Sequence, residues 1–206
     1  MTLLLLGLAY LVGSVPAGYL AGRWARGIDL RDHGSGNLGA TNTFRVLGPK
    51  LAVPVLLFDL GKGVLAAGLF PRLDGTDVLA WSLAYGAAAI LGHIFPVFMR
   101  FRGGKGVATA AGVFIALSPA SAGVAFLVWA AILALGRIMS LASLGGALAL
   151  VVALPLLDGR PALVTLGIAI AAIVIFAHRA NISRLLRGEE QGVRGPDRDP
   201  SKPHAP

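Results

Sequence analysis

The sequence predicts an all-α integral membrane protein of about seven transmembrane helices, N-terminus outside and C-terminus cytoplasmic. Three observations lead there. The 206-residue chain is 56% hydrophobic, with a mean hydropathy of +0.76. Its charge-free apolar runs approach or exceed the ~20 residues that a helix needs to cross the hydrocarbon of a bilayer. Its cations, 18 Lys and Arg against 10 Asp and Glu, stand at the ends of those runs, as the positive-inside rule requires. A soluble domain of this length does not read this way.

Met1 to Gly22 carries no charge, and the first cations, Arg23 and Arg26, follow that run instead of preceding it. This order favours a retained first span over a cleaved signal peptide. Leu51 to Phe70 is the second span, apolar apart from Asp59 and Lys62, and Val78 to Met99 is the third. Gly106 to Gly136 is 31 residues, long for one helix and short for two. Ser118-Pro119 lies near its middle, and proline disfavours helix in the residue before it. Dividing the run there gives spans four and five. Ile138 to Leu157 and Pro161 to Ala177 are spans six and seven.

The division also sorts the charges. Arg23, Arg26, Arg31, Arg45, Lys50, Arg100, Arg102, Lys105, Arg137, Arg179, Arg184, Arg187, Arg194, Arg198 and Lys202 fall on the cytoplasmic side. Only Arg72 and Arg160 fall outside, fifteen against two, with Lys62 inside a span. From Glu189 onward the chain is Gly, Pro, Gln and charge, and buries too little apolar surface to offset its ordering entropy. The expected organisation is a polytopic membrane domain over 1–188 and a disordered cytoplasmic tail over 189–206.

The net charge of +8 does not indicate nucleic acid, because the cations are neither clustered on one helix face nor interleaved with stacking aromatics. The chain has no cysteine, which excludes disulfides and thiolate chemistry. The histidines are scattered and no CxxC or HExxH pattern occurs, so no metal or other cofactor is expected.

Three polar segments interrupt the apolar text, and the span count brings them to one face. In the first, Gly34, Gly36 and Gly39 allow backbone amides to converge into a concavity of the kind that binds phosphate. Ser35, Asn37, Thr41 and Asn42 add neutral donors, and Arg45 adds a fork suited to phosphate. An interfacial loop capping a short helix near Thr41 is the plainer alternative. In the second, Gly103-Gly104-Lys105-Gly106 opens span four, so amides and a helix N-terminus face the cytoplasm. It is not a Walker A loop, since Gly106 stands where Ser or Thr is required. A basic stop at the interface is its alternative. His93, which ends span three, reads as a structural hydrogen-bonder. In the third, His178 and Asn181 share a helix face at spacing i,i+3 while Arg179 points elsewhere. Asp59 and Lys62, also i,i+3, read as an ion pair within the membrane, where a lone charge costs about 2.5–3.5 kcal/mol.

Taken together, GIDLRDHGSGNLGATNTFRVLG with Asp59-x-x-Lys62-Gly63, then GHIFPVFMRFRGGKGVAT, then HRANISRLLRGEE with Glu190 at its G-x-E position, resemble the three motifs of the PlsY family. Those are membrane acyl-phosphate:glycerol-3-phosphate acyltransferases, and the resemblance covers essentially residues 1 to 190. The tail departs from the lysine-rich ending of that family. The resemblance implies transfer of a fatty acyl group from acyl phosphate to the 1-hydroxyl of sn-glycerol 3-phosphate. The products are lysophosphatidic acid and phosphate, in the first step of phospholipid synthesis at a bacterial inner membrane. It further implies membrane lipid and a soluble enzyme that makes acyl phosphate as partners. Ser35, Arg45, Lys105, His178 and Asn181 are then the catalytic candidates. Gly34, Gly36, Asn37, Thr41, Asn42, Gly103, Gly104, Gly106 and Arg179 are the phosphate-binding candidates, and Asp59, Lys62, His93 and Glu190 support them. Within this scheme Ser35 orients a reacting oxygen. Arg45 and Lys105 neutralise phosphates, the amides at Gly103, Gly104 and Gly106 cradle glycerol phosphate, and Asn181 positions His178.

Two phosphorylated substrates account for the glycine loops and separate cations, and a lipid tail accounts for the membrane boundary. An acyl phosphate is already activated, so no covalent enzyme intermediate is required. The H-x-x-x-x-D pattern of acyl-CoA-dependent acyltransferases is absent: Leu38, Phe98 and Ser183 stand where the acid would be. A transporter for a phosphorylated metabolite would show internal repeats and midplane polar residues from both sides. An alcohol phosphatidyltransferase would show an aspartate cluster.

Overall fold

The computed structural model describes residues 1–75 and 79–193. Val78, the expected start of the third span, and the expected tail beyond 193 lie outside the described residues. The described residues form helices joined by loops and turns.

The first apolar run is not one straight span. It forms α1 (Thr2–Ser14) and α2 (Ala17–Arg26), bent by 42° at Val15-Pro16. Proline has no amide to donate, and the break frees the Val15 carbonyl, which accepts from Ala17 N at 3.1 Å and from Lys62 Nζ at 2.6 Å. After a loop come α3 (Ala40–Leu47) and α4 (Pro49–Val64), with Pro49 at the start of α4, where its missing amide costs nothing. A π-helical turn over Leu65–Leu69 joins α4 to α5 (Phe70–Asp74). Then follow α6 (Leu79–Ile94), α7 (Val107–Leu117) and α8 (Pro119–Gly136). The break between α7 and α8 falls at Ser118-Pro119, as the proline predicts. α9 (Met139–Leu157), α10 (Pro161–Ala177) and α11 (Arg179–Leu186) complete the body, α11 being bent 60° from α10.

Among the described residues, four helical stretches are long and apolar enough to cross a membrane, or up to six if each bent pair counts as one span. α7 is the short one: 11 residues extend roughly 16 Å. Yet it joins the same two faces as α9. At the start of α7, Lys105 Nζ reaches Asn181, and at the start of α9, Ser140 reaches Glu190, which also holds Asn181. At the far end Arg160, just past α9, donates to Leu117 O at 2.6 Å. The glycine loop before α7 supplies the length that the helix lacks.

Glycine sets the closeness of two helix pairs. An added methyl at Gly63 of α4 would lie 2.0 Å from Thr109 O, and one at Gly112 of α7 would lie 2.0 Å from Leu60 O. Gly13 of α1 meets Ala89 O and Gly92 of α6 meets Tyr10 O in the same way, at 2.1 and 2.2 Å. Between helices in lipid there is no hydrophobic driving force, so close backbone approach through small residues takes its place. The central core is Ile90, Val113, Phe114, Leu154 and Leu163. A separate small core of Leu30, Leu38, Leu47 and Met99 lies under the first polar loop. Many large apolar side chains face outward, Leu127 at 67% and Leu148 at 55% exposure among them, a pattern that only lipid satisfies.

Candidate functional site

The first polar loop is held from below by Asn42. This residue is 1% exposed. Its Oδ1 accepts from Ser35 N at 2.8 Å, and its Nδ2 donates to Leu30 O and His33 O at 3.1 and 2.9 Å. Asn37 Oδ1 accepts from Gly39 N, and Gly36 N donates to His33 O. Gly34 and Gly36 have φ of 61° and 70°, where a side chain is unfavourable. The expectation of an open concavity of amides is therefore corrected. The amides of Ser35, Gly36 and Gly39 are satisfied within the loop, and Asn37 and Asn42 are its internal braces. What the brace presents outward is Ser35, which is exposed. One turn into α3, Thr41 and Arg45 share a face at i,i+4.

The second loop is likewise braced. Gly103 N donates to Ile94 O and Gly104 N to His93 O, each at 3.1 Å. These two amides are thus not free to cradle an anion. A methyl at Gly104 would lie 2.1 Å from His93 Nε2 and one at Gly103 2.1 Å from His93 O, so both glycines are required by His93. Gly106, with φ of 78°, turns the chain into α7. The loop serves to deliver Lys105, whose Nζ donates to Asn181 Oδ1 at 2.5 Å.

Around Lys105 the segments converge. Asn181 is 7% exposed and its Nδ2 donates to Glu190 Oε1 at 2.6 Å. Ser140 Oγ donates to the same oxygen at 2.7 Å, and Arg184 Nε donates to Glu190 Oε2 at 2.7 Å. Arg45 Nη2 donates to Gln191 O and Gly192 O at 3.1 and 3.2 Å, while its buried Nε has no partner among the described residues. His178, 2% exposed, sits at the bend between α10 and α11. Its Nδ1 lies 2.8 Å from Val174 O. A carbonyl only accepts, so Nδ1 carries a proton and the neutral ring keeps Nε2 as an acceptor. Asn181 thus ties Lys105 to Glu190 instead of positioning His178, a correction with a simple cause: the carbonyl one turn back already holds the ring.

The electrostatics of the cluster favour an anion. Arg45, Lys105 and Arg184 are three cations around one carboxylate, Glu190. Burial drives the Lys105 ammonium down to about 8, with Glu190 pulling the other way. Burial pushes the Glu190 carboxyl up, but donors from Asn181, Ser140 and Arg184 outweigh it and hold the group below the usual carboxylate range. Arg179 is not part of this group. It is exposed and lies 4.6 Å over the Phe176 ring, donating to Phe176 O.

Two members escaped the sequence reading. Arg184 follows Asn181 at i,i+3, a spacing that was legible. Ser140 had no local signal. The expected domain boundary also moves. Glu190, Gln191 and Gly192 pack on the site, and Val193 N donates to Arg137 O at 2.8 Å, so residues 189–193 belong to the folded body.

Residues 3–188 match the family model for glycerol-3-phosphate acyltransferase. The chain belongs to that family. A glycerol-3-phosphate acyltransferase of Synechococcus elongatus is 49% identical over 192 residues, covering 90% of this chain and 91% of the relative. One from Desulforudis audaxviator is 47% identical, over 91% of this chain and 93% of the relative. Among solved structures, PlsY (YgiH), an integral membrane glycerol 3-phosphate acyltransferase in its glycerol 3-phosphate form, superposes with a TM-score of 0.87. That pair is 41% identical over 93% of this chain and 94% of the other. The lysophosphatidic acid form of the same enzyme gives a TM-score of 0.85 at 40% identity. With its apolar spans, this family member is a multi-pass membrane protein and an acyltransferase.

Proposed function

We propose that this protein transfers a fatty acyl group from acyl phosphate to the 1-hydroxyl of sn-glycerol 3-phosphate, giving lysophosphatidic acid and inorganic phosphate. The observation that carries the reading is the cluster of three cations and one carboxylate where the glycine loops meet the end of an apolar bundle. Its surplus positive charge suits phosphate groups, and its place at the span ends suits a donor with a lipid tail. The names of the relatives and the two ligand forms of PlsY support the same substrates.

In this mechanism Arg45 and Lys105 hold the phosphates, the forked guanidinium of Arg45 being suited to two phosphate oxygens. The substrate hydroxyl attacks the acyl carbonyl carbon, the bond from that carbon to the phosphate oxygen breaks, and phosphate leaves. His178 Nε2 is the acceptor for the hydroxyl proton, and Ser35 orients the reacting oxygen. Positioning and charge stabilisation suffice for an activated donor. The site faces the cytoplasm of a bacterial inner membrane, where a soluble enzyme supplies acyl phosphate. The reading includes seven crossings with the N-terminus outside, which the distribution of cations along the sequence supports. Purified protein incubated with glycerol 3-phosphate and, separately, acyl phosphate, acyl-CoA or acyl carrier protein tests this. Lysophosphatidate from acyl phosphate alone is the expected result, and product from acyl-CoA alone would overturn the donor assignment.

A further inference from the structure

Resting on the reading just proposed, we infer that Asp59, Lys62 and His93 are positioning residues that set the glycine loop, and through it Lys105, for glycerol 3-phosphate. Asp59 and Lys62 are buried in α4, and His93 stands in the last turn of α6. Lys62 Nζ donates to Asp59 Oδ1 at 2.7 Å, their side chains being 2% and 3% exposed. The same Nζ donates to Val15 O, the carbonyl freed by the break at Pro16. His93 Nδ1 lies 3.5 Å from Asp59 Oδ1, and its side chain is 9% exposed.

A carboxylate accepts only, so it selects the ring form with a proton on Nδ1. The opposite edge, Nε2, then rests against Gly104, where even a methyl would come within 2.1 Å. The His93 carbonyl meanwhile accepts from Gly104 N. One residue thus grips Gly104 by ring and by backbone, and Lys105 is the next residue. Beside the grip is a cavity of about 10 Å³ lined by Val15, Pro16, Leu38, Asp59, His93 and Gly104, room for about one water. Leu38 belongs to the first polar loop, so both loops and the α1–α2 break border this one node. A buried ion pair is weak evidence for stability. Its placement under a binding loop gives it another role: the pair fixes Asp59, Asp59 fixes the ring, and the ring fixes the loop.

A double-mutant cycle tests this. Gly104→Ala should raise KM for glycerol 3-phosphate about tenfold, with KM for acyl phosphate within about twofold. His93→Ala should raise the same constant. Adding Gly104→Ala to His93→Ala should then cost less than about twofold more, because the methyl no longer meets a ring. Asp59→Asn combined with Lys62→Met keeps the interior neutral. It should retain the wild-type Tm yet raise KM for glycerol 3-phosphate, and should add nothing in the His93→Ala background. Calorimetric titration with glycerol 3-phosphate should show the same pattern without turnover. Additive effects of His93→Ala and Gly104→Ala, or equal losses for both substrates, would overturn the inference while leaving the proposed function standing. A wild-type protein that neither binds nor turns over glycerol 3-phosphate would sink both.

Discussion

At Lys105, burial and function pull in opposite directions. The site needs a cation, and burial brings the ammonium down to about 8. In the free enzyme the charge is present below that value and lost as pH rises through it. The profile of kcat/KM for glycerol 3-phosphate, which reports free-enzyme ionisations, should therefore fall above about pH 8. Bound phosphate favours the cation, so the kcat profile should break at higher pH. Lys105→Arg should remove that alkaline limb, because a guanidinium stays charged, at a lower plateau. Initial rates between pH 6.5 and 9.5, the range about the expected break, check both statements. Arg45 supplies the complementary test. Its Nη2 reaches two carbonyls, and in the proposed mechanism its guanidinium also holds a phosphate. Arg45→Lys keeps charge and loses the fork. It should lower kcat/KM about 10- to 100-fold with the protein still folded, as the loss of a charge-assisted hydrogen bond requires.

Helix pairs are held by absence of side chain. The contact of α4 with α7 passes through Gly63 and Gly112, each facing a carbonyl 2.0 Å from where a methyl would stand. Gly63→Leu or Gly112→Leu should abolish monodisperse protein on size exclusion. Gly61→Ala and Gly123→Ala, with nothing within 4 Å of the added carbon, should be recovered at wild-type yield. The C-terminal segment is an element of the same kind, small and held by specific bonds. Glu190 gathers Asn181, Ser140 and Arg184. A chain ending after Val193 should therefore keep its activity, whereas one ending after Gly188 should lose it, measured as lysophosphatidate formed per folded protein.

For the whole molecule, the site gathers from segments far apart in the chain: α3, the loop before α7, the start of α9, and the stretch from His178 to Gly192. Single cysteines replacing the exposed Ser35 and Ser183, in a chain that otherwise has none, should resist an impermeant thiol reagent in intact cells and label after permeabilisation. Cysteine in place of Gly75 should label from outside. Labelling of position 35 or 183 in intact cells would break the topology. Because all these groups meet at one place and the donor is preactivated, both substrates should bind before chemistry. Intersecting initial-rate lines are expected. Parallel lines with an acylated Ser35 trapped in the absence of glycerol 3-phosphate would instead mean a ping-pong route.

Much of this was legible in the residues themselves. Charge-free length determined the helices and their membrane setting, since a backbone in hydrocarbon must satisfy itself. Pro119 determined the break before α8, and the residue types at Arg45, Lys105, His178 and Asn181 marked the segments that carry the candidate site. Spacing also determined the Asp59–Lys62 pair. What each glycine amide does was decided only by the tertiary structure. Glycine text reads alike whether amides open to a ligand or close on a neighbour, and here Asn42, His33, His93 and Ile94 close several of them. The Lys62 bond to the Val15 carbonyl was likewise decided in three dimensions, as were the turn of Asn181 toward Lys105 and the recruitment of Ser140. Each depends on a partner 40 or more residues away in the chain, and a local pattern carries no information about a distant partner. Sequence set which groups the membrane would gather at its edge, and packing set which of them touch.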